Sequence, residues 1–309
     1  MIELIVEPRA VKTWDEFLKE NPPYSIALDG YVLGPTREDH KGPRLNINDH
    51  DEKTPGLSNI STSSQAWIRL KLGLYKIFKE NNTPKANIYV NDCDQDSSLA
   101  TALLKNHDKY IGTEKESRVE TLVNIENLLD ITAGAYPFNP NSEMMEEIAW
   151  VFQPYGDLRI IKDIGTMNSS EMKKIIEKIC ERVEIYSLGK NGRIKLNTRY
   201  QVIYNGKGWK IIYELGESAK MKAFSDGIIS FVSVRERDDK NLIYSVINII
   251  PYTNLSAENF YQELNNREGI SMLDNDKWEG NDFKGGSPRQ KGSKIKPKEL
   301  GKLIDALIR

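Results

Sequence analysis

The sequence predicts an α/β domain built on a mostly parallel sheet, followed by a strand-rich α+β domain. Short apolar runs in the first half alternate with helical patterns, as parallel strands joined by crossover helices do. Two of those runs end on carboxylates and a third is followed at once by several. The second half changes to β-rich runs separated by Asn-Gly and Asp-Gly turns. The boundary is expected near Gly165, giving segments 1–165 and 166–309.

The first run, Ser25-Ile-Ala-Leu-Asp29, is short and apolar. Arg44-Leu-Asn-Ile-Asn-Asp49 alternates and again ends on Asp. A long helical pattern follows, entered through Ser61-Thr-Ser-Ser64, with Trp67, Leu70, Leu74 and Ile77 on one face. Ala86-Asn-Ile-Tyr-Val90 is the third run. It leads into Asn91-Asp-Cys-Asp-Gln-Asp96, after which Ser97 and Ser98 are candidates to cap a helix burying Leu99, Ala102 and Leu103. Asn168-Ser-Ser-Glu171 has the form of a capping box opening a helix that carries Met172, Ile175, Ile176, Ile179 and Val183. Strands are expected at 200–204, 209–213, 228–234 and 242–250, and a helix at 255–264. A last helix carries Pro297 near its start and Leu300, Leu303, Ile304 and Leu307 on one face. Before it, Lys284 to Lys298 forms a Gly/Lys/Ser/Pro-rich basic loop.

Composition excludes several classes. Of 309 residues, 39% are apolar, enough for a substantial core, and 28% are charged. With a mean hydropathy of -0.54 this is too polar for a membrane protein. The longest apolar-leaning stretch, Leu242 to Tyr252, is interrupted by Ser245 and Asn248 and is too short to span a bilayer. The N-terminal residues lack a basic region and a small-residue cleavage site, so no secretory signal is expected. Two cysteines, Cys93 and Cys180, cannot make a disulfide framework, and a cytoplasmic setting follows as the expectation. A net charge of -2 argues against bulk binding to duplex DNA.

The chemistry is concentrated in Asn91 to Ser98. Carboxylates crowded at the C-terminal end of a buried strand repel one another and lose solvation unless a cation neutralises them. That end of an open α/β sheet is also where ligands bind. An EF-hand would need Gly and Glu where Ser97 and Leu103 stand, so that rival fails. The residues alone leave open a cation site and a polar turn that caps a helix. Asp29 and the group Asp49-His50-Asp51 add two more acidic strand ends. Carboxylates with one imidazole suit Mn²⁺ or Mg²⁺ better than a zinc site would. Asp130, before the turn Thr132-Ala-Gly134, is either a fourth ligand or a helix-terminal Asp. Arg37 and Arg44 either meet phosphate or balance neighbouring carboxylates.

These residues resemble the DHH phosphoesterase superfamily. Asp49-His50-Asp51 is similar to its Asp-His-His motif with the last His replaced by Asp, and Asp94-Gln-Asp96 resembles its Asp-x-Asp motif. Gly285-Gly-Ser-Pro-Arg-Gln-Lys-Gly-Ser293 resembles the glycine-rich loop of the C-terminal accessory domain that binds substrate. Trp278-Glu-Gly and Leu264-Asn-Asn look like a group of bacterial proteins carrying both parts. The motif order is reversed, as in a permuted arrangement; Val90 and Asn91 stand where the superfamily has a His, and Asp51 removes a second imidazole.

The resemblance implies a metal-dependent phosphoesterase hydrolysing a small nucleotide, cyclic dinucleotide or short oligonucleotide. It implies that Asp29 bridges two Mn²⁺ or Mg²⁺ ions, with Asp94 on one and Asp96, His50 and Asp130 around the other. Asp49 would be a further ligand or orient His50. Asp51, Gly285, Gly286, Ser287, Arg289 and Ser293 would meet substrate, and Asp29, His50, Asp94 and Asp96 would carry catalysis. Expected partners are a nucleotide or short single strand, with neither duplex DNA nor membrane; a second copy or another protein stays open. The rival expectation is a degenerate module that senses nucleotide or binds a protein, for example in bacterial defence. A pyrophosphate or polyphosphate hydrolase is the third.

Overall fold

The structure, a computed structural model, describes residues 1–49, 59–161, 166–236, 241–274 and 276–308. They form a mixed α/β protein whose contacts group into two units. The first comprises 1–49, 59–131 and 146–194 among the described residues; the second comprises 132–145 and the residues from 195 onward.

In chain order the first unit contains β1 (Ile2–Val6), α1 (Trp14–Glu20), β2 (Ser25–Leu28), β3 (Arg37–Asp39), β4 (Arg44–Ile47), α2 (Thr62–Lys71), α3 (Leu74–Ile77), β5 (Lys79–Glu80), β6 (Thr83–Pro84), β7 (Ala86–Val90), α4 (Gln95–Lys105), α5 (His107–Tyr110), α6 (Glu116–Ile131), most of α7 (Glu143–Ile161) and α8 (Ser169–Ser187). The main sheet has the order β1-β7-β2-β4-β3, parallel except for β3. The three expected strands are therefore its central neighbours, with Ala27 opposite Tyr89 on one side and Asn46 on the other. Every residue of β2 is buried, as in a parallel sheet covered on both faces. On one face Phe17 of α1 packs on Ala27, Tyr31 and Tyr89. Helices α2, α4, α6 and α8 pack together, with α4 and α8 against β1 and α2 against β4.

Three local readings need correction. The helix expected through Ile77 is broken at Gly73, which sits at φ 87, and Ile77 is exposed. The cap of α4 is Asp94, whose carboxylate accepts from Ser97 N; Ser97 and Ser98 lie inside the first turn. The N-terminal residues, read only for targeting, make β1 on the sheet edge. The capping box of α8 forms as expected between Asn168 and Glu171. The units also divide the chain elsewhere than at 165/166. The inward face of α8 (Met172, Ile176, Ile179, Val183) is buried in the first unit, whereas 132–145 joins the second.

The second unit contains β8 (Tyr200–Asn205), β9 (Lys210–Glu214), α9 (Ala219–Ser225), β10 (Phe231–Glu236), β11 (Leu242–Ile247), α10 (Ala257–Glu268), β12 (Glu279–Gly280), β13 (Lys284–Gly286) and α11 (Pro297–Leu307). Its sheet runs β12-β13-β11-β10-β9-β8, with β9 and β10 parallel and the other pairs antiparallel. The strand period of two sends Ile211, Val232, Val234 and Val246 to a core with Phe260, Leu264, Leu300 and Ile304. The alternate residues Ile212, Phe231 and Ile247 meet Ala135 and Ala223 on the opposite face. Among the described residues no helix is long and apolar enough to cross a membrane.

Candidate metal centre

Asp29, Asp49 and Asp96 follow the C-terminal ends of three adjacent parallel strands, β2, β4 and β7. Each offers a carboxylate oxygen, and the three oxygens lie within 4.8 Å of one another. Asp29 and Asp96 are buried and Asp49 half-buried. Asp29 ends β2 abruptly because it takes φ 52, a left-handed conformation that Asp tolerates better than most residues. The next amide, Gly30 N, donates to Asn48 Oδ1 at 2.9 Å, joining the loops after β2 and β4.

Polar groups orient all three carboxylates. Asp29 Oδ2 accepts from Ser97 Oγ at 2.5 Å, and Asp49 Oδ1 accepts from Thr62 Oγ1 at 2.9 Å. Asp96 Oδ2 and Oδ1 accept from the backbone amides of Thr62 (2.6 Å) and Ser63 (2.9 Å), the first two residues of α2. Asp96 is also in the first turn of α4. Two helix N-termini therefore meet at this carboxylate, and their partial positive charge offsets part of its negative charge. Behind it lies Glu126 of α6, buried, hydrogen-bonded to Asp96 and accepting from Ser63 Oγ at 3.2 Å.

The charge is not fully compensated by these bonds. Burial, then the neighbouring Asp29 and Asp49, push the Asp96 carboxyl up to about 6. Desolvation, then Asp29, Asp92 and Asp96, raise Asp94 well above the usual carboxylate range. Burial and the charges of Asp96 and Asp130 do the same to Glu126. Burial also raises the Cys93 thiol, with Asp92 and Asp94 adding to the effect, so no thiolate joins the set. A trio of hard oxygen donors fits Mg²⁺, Mn²⁺ or Ca²⁺.

Of the residues expected to bind metal, Asp29, Asp49 and Asp96 come together. Asp94 is beside them electrostatically, but it is outside the trio and caps α4. Asp130 is in the last turn of α6, near enough to Glu126 to raise its carboxyl. His50 and Asp51 lie outside the described residues. Arg44 pairs with Asp39 at 3.2 Å and donates to Asn21 O, at the start of β4 rather than its acidic end. Arg37 stacks over Trp14 at 5.0 Å and donates to Leu33 O.

The residues of the basic loop are placed by their own unit. Gly285 and Gly286 are in β13, without the positive φ a glycine nest would have. Ser287 Oγ accepts from Tyr244 N at 3.0 Å, and Ser293 exchanges backbone hydrogen bonds with Leu242. Arg289 is exposed. Gln290 N and Lys291 N do converge on an anion, but it is the chain's own Asp276, at 2.9 and 2.8 Å.

Sequence reasoning missed Glu126, Thr62, Ser63 and the role of Ser97. The polar run Ser61 to Ser64 was a visible signal, yet it reads equally as a helix start. Glu126 carries no local signal because its partner Ser63 is 63 residues away. No family model matches this chain, nor does any curated protein or solved structure.

Proposed function

We propose that the first unit is a divalent-metal-dependent phosphoesterase domain of DHH type. It would act on a small nucleotide, cyclic dinucleotide or short oligonucleotide, with Mn²⁺ or Mg²⁺ held by Asp29, Asp49 and Asp96. The observation that carries this reading is the meeting of three oriented carboxylate oxygens within 4.8 Å where α2 and α4 begin. Carboxylates collect the cation, and helix N-termini favour a phosphate's negative charge. A bound ion of this kind supplies a water of lowered pKa and neutralises charge on the attacked phosphate. Ser97 and Thr62 hold Asp29 and Asp49 in place, and the amides of Thr62 and Ser63 hold Asp96. Asp94, His50 and Asp130 are the further ligands of this proposal.

Calorimetric titration of Mn²⁺ into apo protein, followed by assays with a dinucleotide, pyrophosphate and a chromogenic phosphodiester, tests the reading. Metal binding that is lost in Asp29→Asn/Asp96→Asn, with hydrolysis of a phosphodiester, supports it. Equal metal content in wild type and that variant overturns it. A second reading, nucleotide binding without hydrolysis, draws on Asp96, both of whose oxygens already serve α2. Metal-dependent nucleotide binding with no turnover of any of the three substrates would favour that reading.

A further inference from the structure

The second unit carries charge that no part of the carboxylate site uses. Between residues 284 and 302 the chain has seven cationic residues and one carboxylate, although the whole protein is at -2. Three of these cations, Lys296, Lys298 and Lys302, line an open groove of about 680 Å³ along α11, opposite Arg267 of α10. The single carboxylate, Glu299, is taken by Arg267, which reaches Oε1 through Nε at 3.2 Å and Nη2 at 2.6 Å. Lys296, Lys298 and Lys302 are exposed and form no ion pair among the described residues. Nor is this charge explained by helix stability, because Lys296 and Lys298 stand where the dipole of α11 disfavours cations.

The other end of the groove is apolar. Leu303, Ala306 and Leu307 line it at helical spacing, and the two leucines rest on the core of the unit while showing one flank outward. Lys296 to Leu307 spans about 16 Å at 1.5 Å per residue, the length of a three-turn helix. No aromatic side chain lines the groove, so it lacks the stacking platforms that single-stranded nucleic acids use.

We propose that this groove docks an acidic amphipathic peptide of a partner protein. The partner's apolar face would cover Leu303, Ala306 and Leu307, and its carboxylates would lie over Lys296, Lys298 and Lys302. Cations placed beside an apolar strip match that chemistry, in which pockets take alternate turns of the ligand and the rim charges steer it. This site is independent of the carboxylate centre.

The test is fluorescence anisotropy on the full chain with a labelled synthetic peptide of about 14 residues, Leu at i, i+3, i+4 and i+7 and Glu on the other face. A scrambled peptide of equal composition and a single-stranded oligothymidine are the comparison probes. The amphipathic peptide should bind at least tenfold more tightly than the scrambled one. Lys298→Glu/Lys302→Glu should weaken it at least tenfold, and raising salt should weaken wild-type binding. Asp29→Asn/Asp96→Asn should bind the peptide as wild type does, which separates this outcome from any failure of the metal site. Equal affinity for the scrambled peptide, tighter binding of oligothymidine, or unchanged affinity in the folded double variant overturns the proposal. Should that variant not fold, Ala306→Glu on the exposed surface replaces it, with the same tenfold loss expected.

Discussion

The Ser97 hydroxyl donates to Asp29 Oδ2 at 2.5 Å, tying the end of β2 to the first turn of α4 across 68 residues of chain. Neither residue is held by its own strand or helix alone. The bond helps orient a carboxylate whose oxygen lies within 4.8 Å of those of Asp49 and Asp96.

Ser97→Ala should therefore loosen metal more than it loosens the fold. Loss of a group that orients a ligand typically costs about 10–100-fold in metal affinity. The stability cost should be about 1–3 kcal/mol, the range for a buried hydrogen bond to a charged group. Calorimetry with Mn²⁺ beside urea unfolding separates the two; wild-type affinity in the variant would show that Asp29 is oriented by other groups.

Glu126→Gln should be nearly neutral for stability at acid pH, since the amide keeps a polar group in reach of Asp96 and of the Ser63 hydroxyl. Glu126→Ala should be worse by about 1–3 kcal/mol, because it removes the partner of both groups and leaves them less satisfied. Chemical denaturation of both variants at pH 5 tests the ordering.

The raised carboxyls set the sign of the pH dependence. A group whose folded pKa is about 6, against about 4 when unfolded, binds more protons in the folded state between those values. Its contribution is fully present below pH 4 and is lost as pH rises through 6; Asp94 and Glu126 act in the same direction. The metal-free protein should lose thermal stability from pH 5 to pH 7.5, and Mn²⁺ should restore it more strongly at pH 7.5. A metal-free Tm that rises over that interval would contradict the charge crowding described above.

Gly285→Ala should destabilise the second unit by about 2–4 kcal/mol, in the range of severe overpacking. A Cβ there would sit 2.0 Å from the Tyr261 hydroxyl and 2.7 Å from Glu279 O, and Tyr261 is buried. Tyr261→Phe in the same chain should rescue only part of the loss, because the ring carbon at 2.4 Å remains. Urea midpoints of the single and double variants measure this.

Asp276→Ala should cost about 1–3 kcal/mol by leaving the amides of Gln290 and Lys291 without their carboxylate. Arg289→Ala, on the exposed part of the same loop, should leave stability within about 0.5 kcal/mol. Unfolding of both variants distinguishes the part of the loop held by Asp276 from its exposed part.

What the sequence by itself determined is local and periodic. Two-residue and 3.6-residue periodicities placed β2, β4 and β7, the helix after Asn168 and the strands of the second unit, because burial on one face writes itself into neighbouring residues. The acidic strand ends at Asp29, Asp49 and Asp96 were legible for the same reason. Tertiary structure alone decided which carboxylates meet: Asp96 turns to the amides of α2, and Glu126 faces it from a distant helix. It also put Gly285 under Tyr261 and gave the loop's amides to Asp276. These contacts join residues far apart in the chain, and their energy depends on desolvation and on the charges that folding brings together, neither of which has a period in the sequence.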